Sequence, residues 1–154
     1  MDAVHQVKYG GKTYLAESLA RLLAPYARER LGDTRGLLMM PVPLHPKRLR
    51  ERGFNQSLVL ARAVEPILET RLDFLSLRRV IYTRPQTGLK RNERRKNVKG
   101  AFGLVGQPDL KEKTVILVDD VATTGTTLNE CARVLKKAGC EKVFCLVLAR
   151  TAGF

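Results

Sequence analysis

Two adjacent carboxylates, Asp119 and Asp120, stand two residues ahead of Thr123-Thr-Gly-Thr-Thr127. Ionised carboxylates only accept hydrogen bonds, so they suit the vicinal hydroxyls of a sugar and repel a phosphate. The hydroxyls and backbone N–H groups of Thr123, Thr124, Gly125, Thr126 and Thr127 suit that anion instead, with Gly125 allowing a tight approach. A helix starting at this point adds the positive end of its dipole. The spacing therefore describes a sugar-phosphate site, with the diol on the acidic pair and the phosphate on the loop. A polar strand end ahead of a well-capped helix is the plainer alternative. It would leave two neighbouring carboxylates at a buried edge with nothing to offset their cost. The Gly-Lys-Ser/Thr ending of a Walker A loop is absent, as is the Gly-x-Gly-x-x-Gly of a dinucleotide site.

Such a site needs elements to position it. Residues 115–118 are apolar on both faces, which predicts a strand buried in a parallel sheet. The acidic pair then falls at the carboxyl end of that strand, where open α/β sheets bind ligands. Leu128, Cys131, Ala132, Leu135 and Ala138 recur at helical spacing, Lys136 and Lys137 occupy the last turn, and Gly139 ends it. Residues 143–148 read as the next buried strand, completing a βαβ unit. Upstream, residues 37–43 form an apolar run closed by prolines, hence another strand. A helix follows from about Asn55 to Glu69, with Leu58, Ala61, Arg62, Glu65 and Leu68 spaced along it. Gly11 to Arg30 carries Leu15, Leu19, Leu22 and Leu23 at helical intervals, predicting a core-facing helix broken near Pro25.

The net charge of +13 is unevenly spread. Residues 84–99 hold seven Lys and Arg against one Glu, and residues 44–54 hold four against one. Both segments read as loops flanking the phosphate site, which favours a polyanion, either pyrophosphate or nucleic acid, over a merely solvated face. At 154 residues the chain is expected to form one domain. No apolar stretch approaches the roughly 18 to 20 residues of a membrane span, and the first residues do not read as a signal peptide. Cys131, Cys140 and Cys145 make no Cys-x-x-Cys pair, so packed thiols in a reducing cytoplasm are expected. His5 and His45 lie near no cysteine cluster, which argues against a protein-held transition metal.

Residues 115–127 resemble the 5-phosphoribosyl-1-pyrophosphate (PRPP) motif of type I phosphoribosyltransferases: an apolar run, an acidic pair, then Thr-Gly-x-Thr. Arg52-Gly-Phe-Asn-Gln56, and Thr83, Gln86, Leu89, Arg94, Asn97, Ala101 and Phe102 in their spacing, are similar to one branch, the competence protein F / GntX group. The resemblance implies an α/β fold with a central, mostly parallel sheet, helices on both faces and a flexible basic loop at about 82–102. It implies Asp119 and Asp120 as ribose ligands and the Thr-Gly loop as the 5-phosphate cradle. Leu44, His45, Pro46, Lys47 and Arg48 would form the pyrophosphate loop, with Lys47 and Arg48 making the charge contacts. Lys90, Arg91 and Arg94 are the catalytic candidates of a lid that excludes water and offsets charge on departing pyrophosphate. Magnesium would travel on PRPP, held mainly by its oxygens and by water. Members of the group carry a four-cysteine zinc module ahead of this domain, which these residues do not include. Where hypoxanthine-guanine salvage enzymes place an Asp in the phosphate loop, this chain has Thr123, which argues against purine salvage.

An enzyme transferring a phosphoribosyl group to an unidentified acceptor is the leading expectation. The alternative is a nucleic-acid-binding protein of DNA uptake, for which Phe54, Tyr82 and Phe102 offer a thin platform for single-stranded DNA. A PRPP sensor without turnover is a third. A second copy of the chain is a further candidate partner, since spacing alone does not decide between a monomer and a homodimer.

Overall fold

The computed structural model describes residues 13–83 and 91–150, with side chains from residue 18 onward except at 91, 92 and 94. Along the chain run α1 (Thr13–Leu31), β1 (Leu38–Pro41), α2 (Pro46–Arg52), α3 (Gln56–Leu68), β2 (Arg71–Leu72) and β3 (Leu77–Arg79). They are followed by α4 (Arg91–Val98), β4 (Phe102–Leu104), β5 (Thr114–Ala122), α5 (Thr126–Lys137) and β6 (Lys142–Arg150). Four strands make a parallel sheet in the order β2-β1-β5-β6, while β3 and β4 pair antiparallel as a separate hairpin.

The unbroken apolar run in β5 is explained by burial on both faces. Val115 and Leu117 join Met40, Leu128, Cys131 and Leu135 in one core, under α5 and the hairpin. Ile116 and Val118 join Met39, Leu60, Ala61 and Val64 in the other, under α1 and α3. Strand alternation thus supplies both layers of an α/β sandwich. β1 leads through α3 to β2 on its outer side, whereas β5 leads through α5 to β6 in the opposite direction. The two crossover helices lie on opposite faces, so the carboxyl ends of β1 and β5 flank a topological switch point. Open sheets of this kind form their ligand crevice there.

Several sequence expectations need correction. α1 continues through Pro25, because that proline is exposed on the outer side and only one intrahelical bond is lost. Its buried face is Ala20, Ala24 and Ala27, while Leu22 is 74% exposed. Small residues allow close approach to Ala61 of α3, an effect that counting leucines misses. On α3 the buried positions are Gln56, Ser57, Leu60, Ala61, Val64 and Leu68, and Arg62 lies outside.

Both basic segments contain helices rather than loop alone. In α2, Pro46 occupies the first turn, where a missing N–H costs nothing, and the His45 side chain caps Lys47 N–H at 3.2 Å. Gly53 then turns left-handed with φ 80° and closes the helix. α4 interrupts the 82–102 segment, anchored by Val98, which is 1% exposed. Residues 84–90 lie outside the described residues, so the mobile-loop expectation is not addressed there. Phe102, expected at the end of that loop, opens β4 instead. Of the cysteines, Cys131 and Cys140 are buried and Cys145 is exposed on the edge strand.

Candidate functional site at the sheet switch point

β1 stops at Pro41, paired with Val118, while β5 continues to Ala122 beside β6. Asp119 is therefore the first residue of β5 beyond its neighbour's end, at the mouth of the crevice. Its Oδ1 accepts hydrogen bonds from Ser57 Oγ and from Asp120 N–H, both at 2.9 Å. Ser57 is held in turn by the start of α3. Asn55 caps the helix, accepting Ser57 N–H at 3.1 Å, and its Nδ2 donates to the Val42 carbonyl at 3.0 Å. The Asn55-Gln56-Ser57 segment thereby ties the end of β1 to the acidic pair on β5. Arg52 Nη1 adds a bond to Gln56 Oε1 at 2.9 Å.

Burial pushes the Asp119 carboxyl up to about 7, the neighbouring Asp120 charge acts in the same direction, and the Ser57 hydroxyl opposes both. A carboxylate held this way gains from donors that a ligand brings, such as sugar hydroxyls.

Beyond the acidic pair, Gly125 takes the left-handed conformation with φ 66° and caps α5 without any side-chain hydrogen bond to the helix start. The backbone there is shaped to present N–H groups to an anion. Thr124 and Thr126 hydroxyls lie 2.6 Å apart. They line a cavity of ≈ 670 Å³ between α4 and the start of α5, with Arg95, Lys99 and Arg133 supplying cations. Glu130, at the same cavity, accepts Gly100 N–H and pairs with Arg133, so α4 is fastened to α5.

At the end of β1, Leu44 and His45 are half-buried, Pro46 and Lys47 are exposed, and Arg48 is half-buried. These residues gather around Tyr82. The His45 ring meets the Tyr82 ring edge-on with centroids 5.2 Å apart, and Lys47 Nζ lies 4.7 Å from that ring's centroid. Arg48 stands at 5.9 Å from it and pairs with Glu51 at 3.2 Å. Tyr82 thus joins the pyrophosphate-loop candidates to the base of the basic segment. Of the catalytic candidates, Lys90 lies outside the described residues, and Arg91 and Arg94 are placed only as backbone positions of α4.

Three contributors escaped sequence reading: Ser57, Tyr82 as an organiser rather than a stacking platform, and Arg79. Arg79 sits on β3 with its guanidinium carbon 5.3 Å from the Phe102 ring centroid. Burial lowers its pKa and Arg48 adds to that, whereas Cys131 and Asp119 act the other way. None of the three falls in a local motif that marks it. Among the described residues no group of three or more His, Cys, Asp or Glu side chains could hold a metal ion, and no helix is long and apolar enough to cross a membrane.

Comparison with known proteins agrees with this geometry. Residues 55–153 match the phosphoribosyl transferase domain family. Competence protein F of Haemophilus influenzae is 35% identical over 151 residues, covering 96% of this chain and 66% of its own length. The DNA utilization protein YhgH of Escherichia coli K12 is 33% identical over the same length, with the same coverage of both chains. The chain thus spans just under two thirds of these relatives. Among solved structures, a purine phosphoribosyltransferase from Pyrococcus horikoshii superposes with a TM-score of 0.54 at 21% identity, covering 90% of this chain and 77% of that one. Phosphoribosylpyrophosphate synthetase from Mycobacterium smegmatis gives 0.52 at 19% identity, covering 88% of this chain and 34% of that one. At such identities the likeness concerns the fold. With its sheet order, its switch-point acidic pair and the match over residues 55–153, the chain belongs to the phosphoribosyl transferase domain family.

Proposed function

We propose that the protein binds PRPP and transfers its phosphoribosyl group to an acceptor, releasing pyrophosphate. The observation that carries this is the convergence at one switch point of the acidic pair, the loop at Gly125 and the cationic start of α2. Asp119 and Asp120 accept the ribose hydroxyls, and the N–H groups and hydroxyls of residues 123–127 take the 5-phosphate. Lys47 and Arg48, with His45, face the pyrophosphate. Arg91 and Arg94 on α4, with Lys90 ahead of them in sequence, offset the charge on the departing pyrophosphate. The reaction passes through an oxocarbenium-like state, for which exclusion of water matters because the activated sugar carbon would otherwise hydrolyse. Mg²⁺ fits this site as a passenger on PRPP. The Asp119 oxygen is already engaged by Ser57 and the surrounding side chains are largely cationic, so the ion's ligands come mainly from the substrate and water. Calorimetric titration with PRPP and Mg²⁺ tests the proposal: binding tighter than about 1 mM is expected, and its absence refutes it.

A second function is supported by the cations that α4 presents. Arg95, Lys96 and Lys99 are exposed on or beside that helix, and the relatives' names refer to competence and DNA utilization. Single-stranded DNA would be held there through its phosphates. The same fold can serve both functions, because a site rather than a fold sets function.

A further inference from the structure

The parallel sheet has two outer edges of different character. β2 forms one, and at two residues it offers a further strand little to pair with. β6 forms the other over nine residues, and among the described residues no strand pairs with its outer side. Exposed edges are ordinarily blunted by an internal charge or proline. β6 has neither between its ends: Val143-Phe-Cys-Leu-Val-Leu-Ala149 is apolar throughout, as suits a strand inside a sheet. The surface beside this edge is apolar too. Strand alternation puts Phe144 on the face of Leu146 and Leu148, where it is 38% exposed. On that face α1 packs beside α3 and over β6, with Ala20, Ala24 and Ala27 buried and Leu23 packed on the same core. The helical repeat places Tyr26 and Leu22 farther round on the side of Leu23, which sets them over the outer edge of β6. They are 55% and 74% exposed. Cys145, on the opposite face of the strand, is exposed as well.

We propose that a second copy of the chain docks here, β6 antiparallel to β6 about a two-fold axis and α1 against α1, joining two four-stranded sheets into one. An apolar edge of this length needs a strand of like length and character, which β6 itself supplies, and a two-fold contact closes after two subunits. The strand runs about 30 Å, and with the α1 layer the face measures on the order of 600–800 Å² per copy, close to the roughly 800 Å² that a standard interface buries on each partner. Its charges, Arg30, Arg150 and the Glu141–Lys142 pair, stand at the rim, so the centre gives an acidic strand or a nucleic acid nothing to pair with. Two-fold pairing keeps each face on its own side, so one residue must oppose its own counterpart. Centred on Cys145, the pairing sets Phe144 opposite Leu146 and Val143 opposite Val147. A centre at Leu146 would instead set Lys142 directly against Arg150, which like charges disfavour.

Sedimentation velocity on the wild type, Cys145→Lys, Leu22→Lys and, at the other edge of the sheet, Leu75→Lys tests this, with thermal melts by circular dichroism as the check on folding. All three positions are exposed. The wild type is expected to be mostly dimeric at about 100 µM, and to stay so or tighten as salt rises from about 50 to about 500 mM, since the rim cations repel. Cys145→Lys sets two cations face to face at the axis and should raise the dimer dissociation constant by about tenfold or more. Leu22→Lys should raise it by about threefold or more, and Leu75→Lys should leave it within about twofold. A wild type that is monomeric at that concentration, a dimer that salt dissociates, or one that Leu75→Lys weakens as much as Cys145→Lys overturns the assignment. If Cys145→Lys does not fold, Leu22→Lys decides, and association unchanged in it overturns the proposal. The PRPP function stands apart from every one of these results.

Discussion

Asp119 concentrates the chemistry of the site and a cost in stability. Its carboxyl, ordinarily near 3.8, is pushed up to about 7 in the folded chain by burial, with Asp120 adding to it. A group whose folded pKa is raised contributes most below its unfolded pKa, and that contribution is lost as pH rises through the folded value. Asp119→Asn stays neutral and escapes the loss. Its melting temperature should match the wild type below about pH 4, then exceed it increasingly, by at least about 3 °C at pH 8. A thermal melt series across pH checks this, and a constant difference at all pH values would contradict it. The acidic pair was legible because two carboxylates ahead of a Thr-Gly loop have few structural uses. Ser57 was not. Its bond to Asp119 crosses 62 positions of sequence, and only the packing of α3 against β5 creates it.

At the scale of elements, the start of α3 is the joint on which the site depends. Asn55 both caps the helix and bonds the Val42 carbonyl, so Asn55→Ala removes two contacts and leaves a carbonyl unsatisfied. A loss of about 1–3 kcal/mol in denaturant unfolding is expected, and a loss under about 0.5 kcal/mol would show that the joint carries little. β5, α5 and β6 were legible because two-sided burial leaves an unbroken apolar run and α5 keeps a clean stripe at Leu128, Cys131 and Leu135. α4 was hidden for the opposite reason. Val98 is its only apolar residue and, among the described side chains of the helix, the one that is buried; contacts with α5 add to its hold. α2 was obscured by prolines that sequence reading took as loop stiffeners, although one of them starts the helix.

For the whole molecule, the surplus of +13 charges is a property no single contact explains. If the α4 cations bind single-stranded DNA, affinity should fall steeply with salt, and reversing Arg95 and Lys96 to Glu should flatten that dependence by about one unit or more in log–log slope. Fluorescence anisotropy with an oligonucleotide measures it, and an unchanged slope would exclude those residues as the contact. The fold class was legible as a whole because the order of strands and helices admits few topologies. The faces of α1 and α3 were not, since alanines set the close approach there. The central claim concerns a sugar diol on Asp119 and Asp120 beside a phosphate on residues 123–127. Calorimetry with PRPP and Mg²⁺ on the wild type and on the Asp119→Asn/Asp120→Asn pair tests it most directly. We predict submillimolar binding that weakens by about a hundredfold or more when both carboxylates are removed; equal affinity in the two proteins would contradict the account.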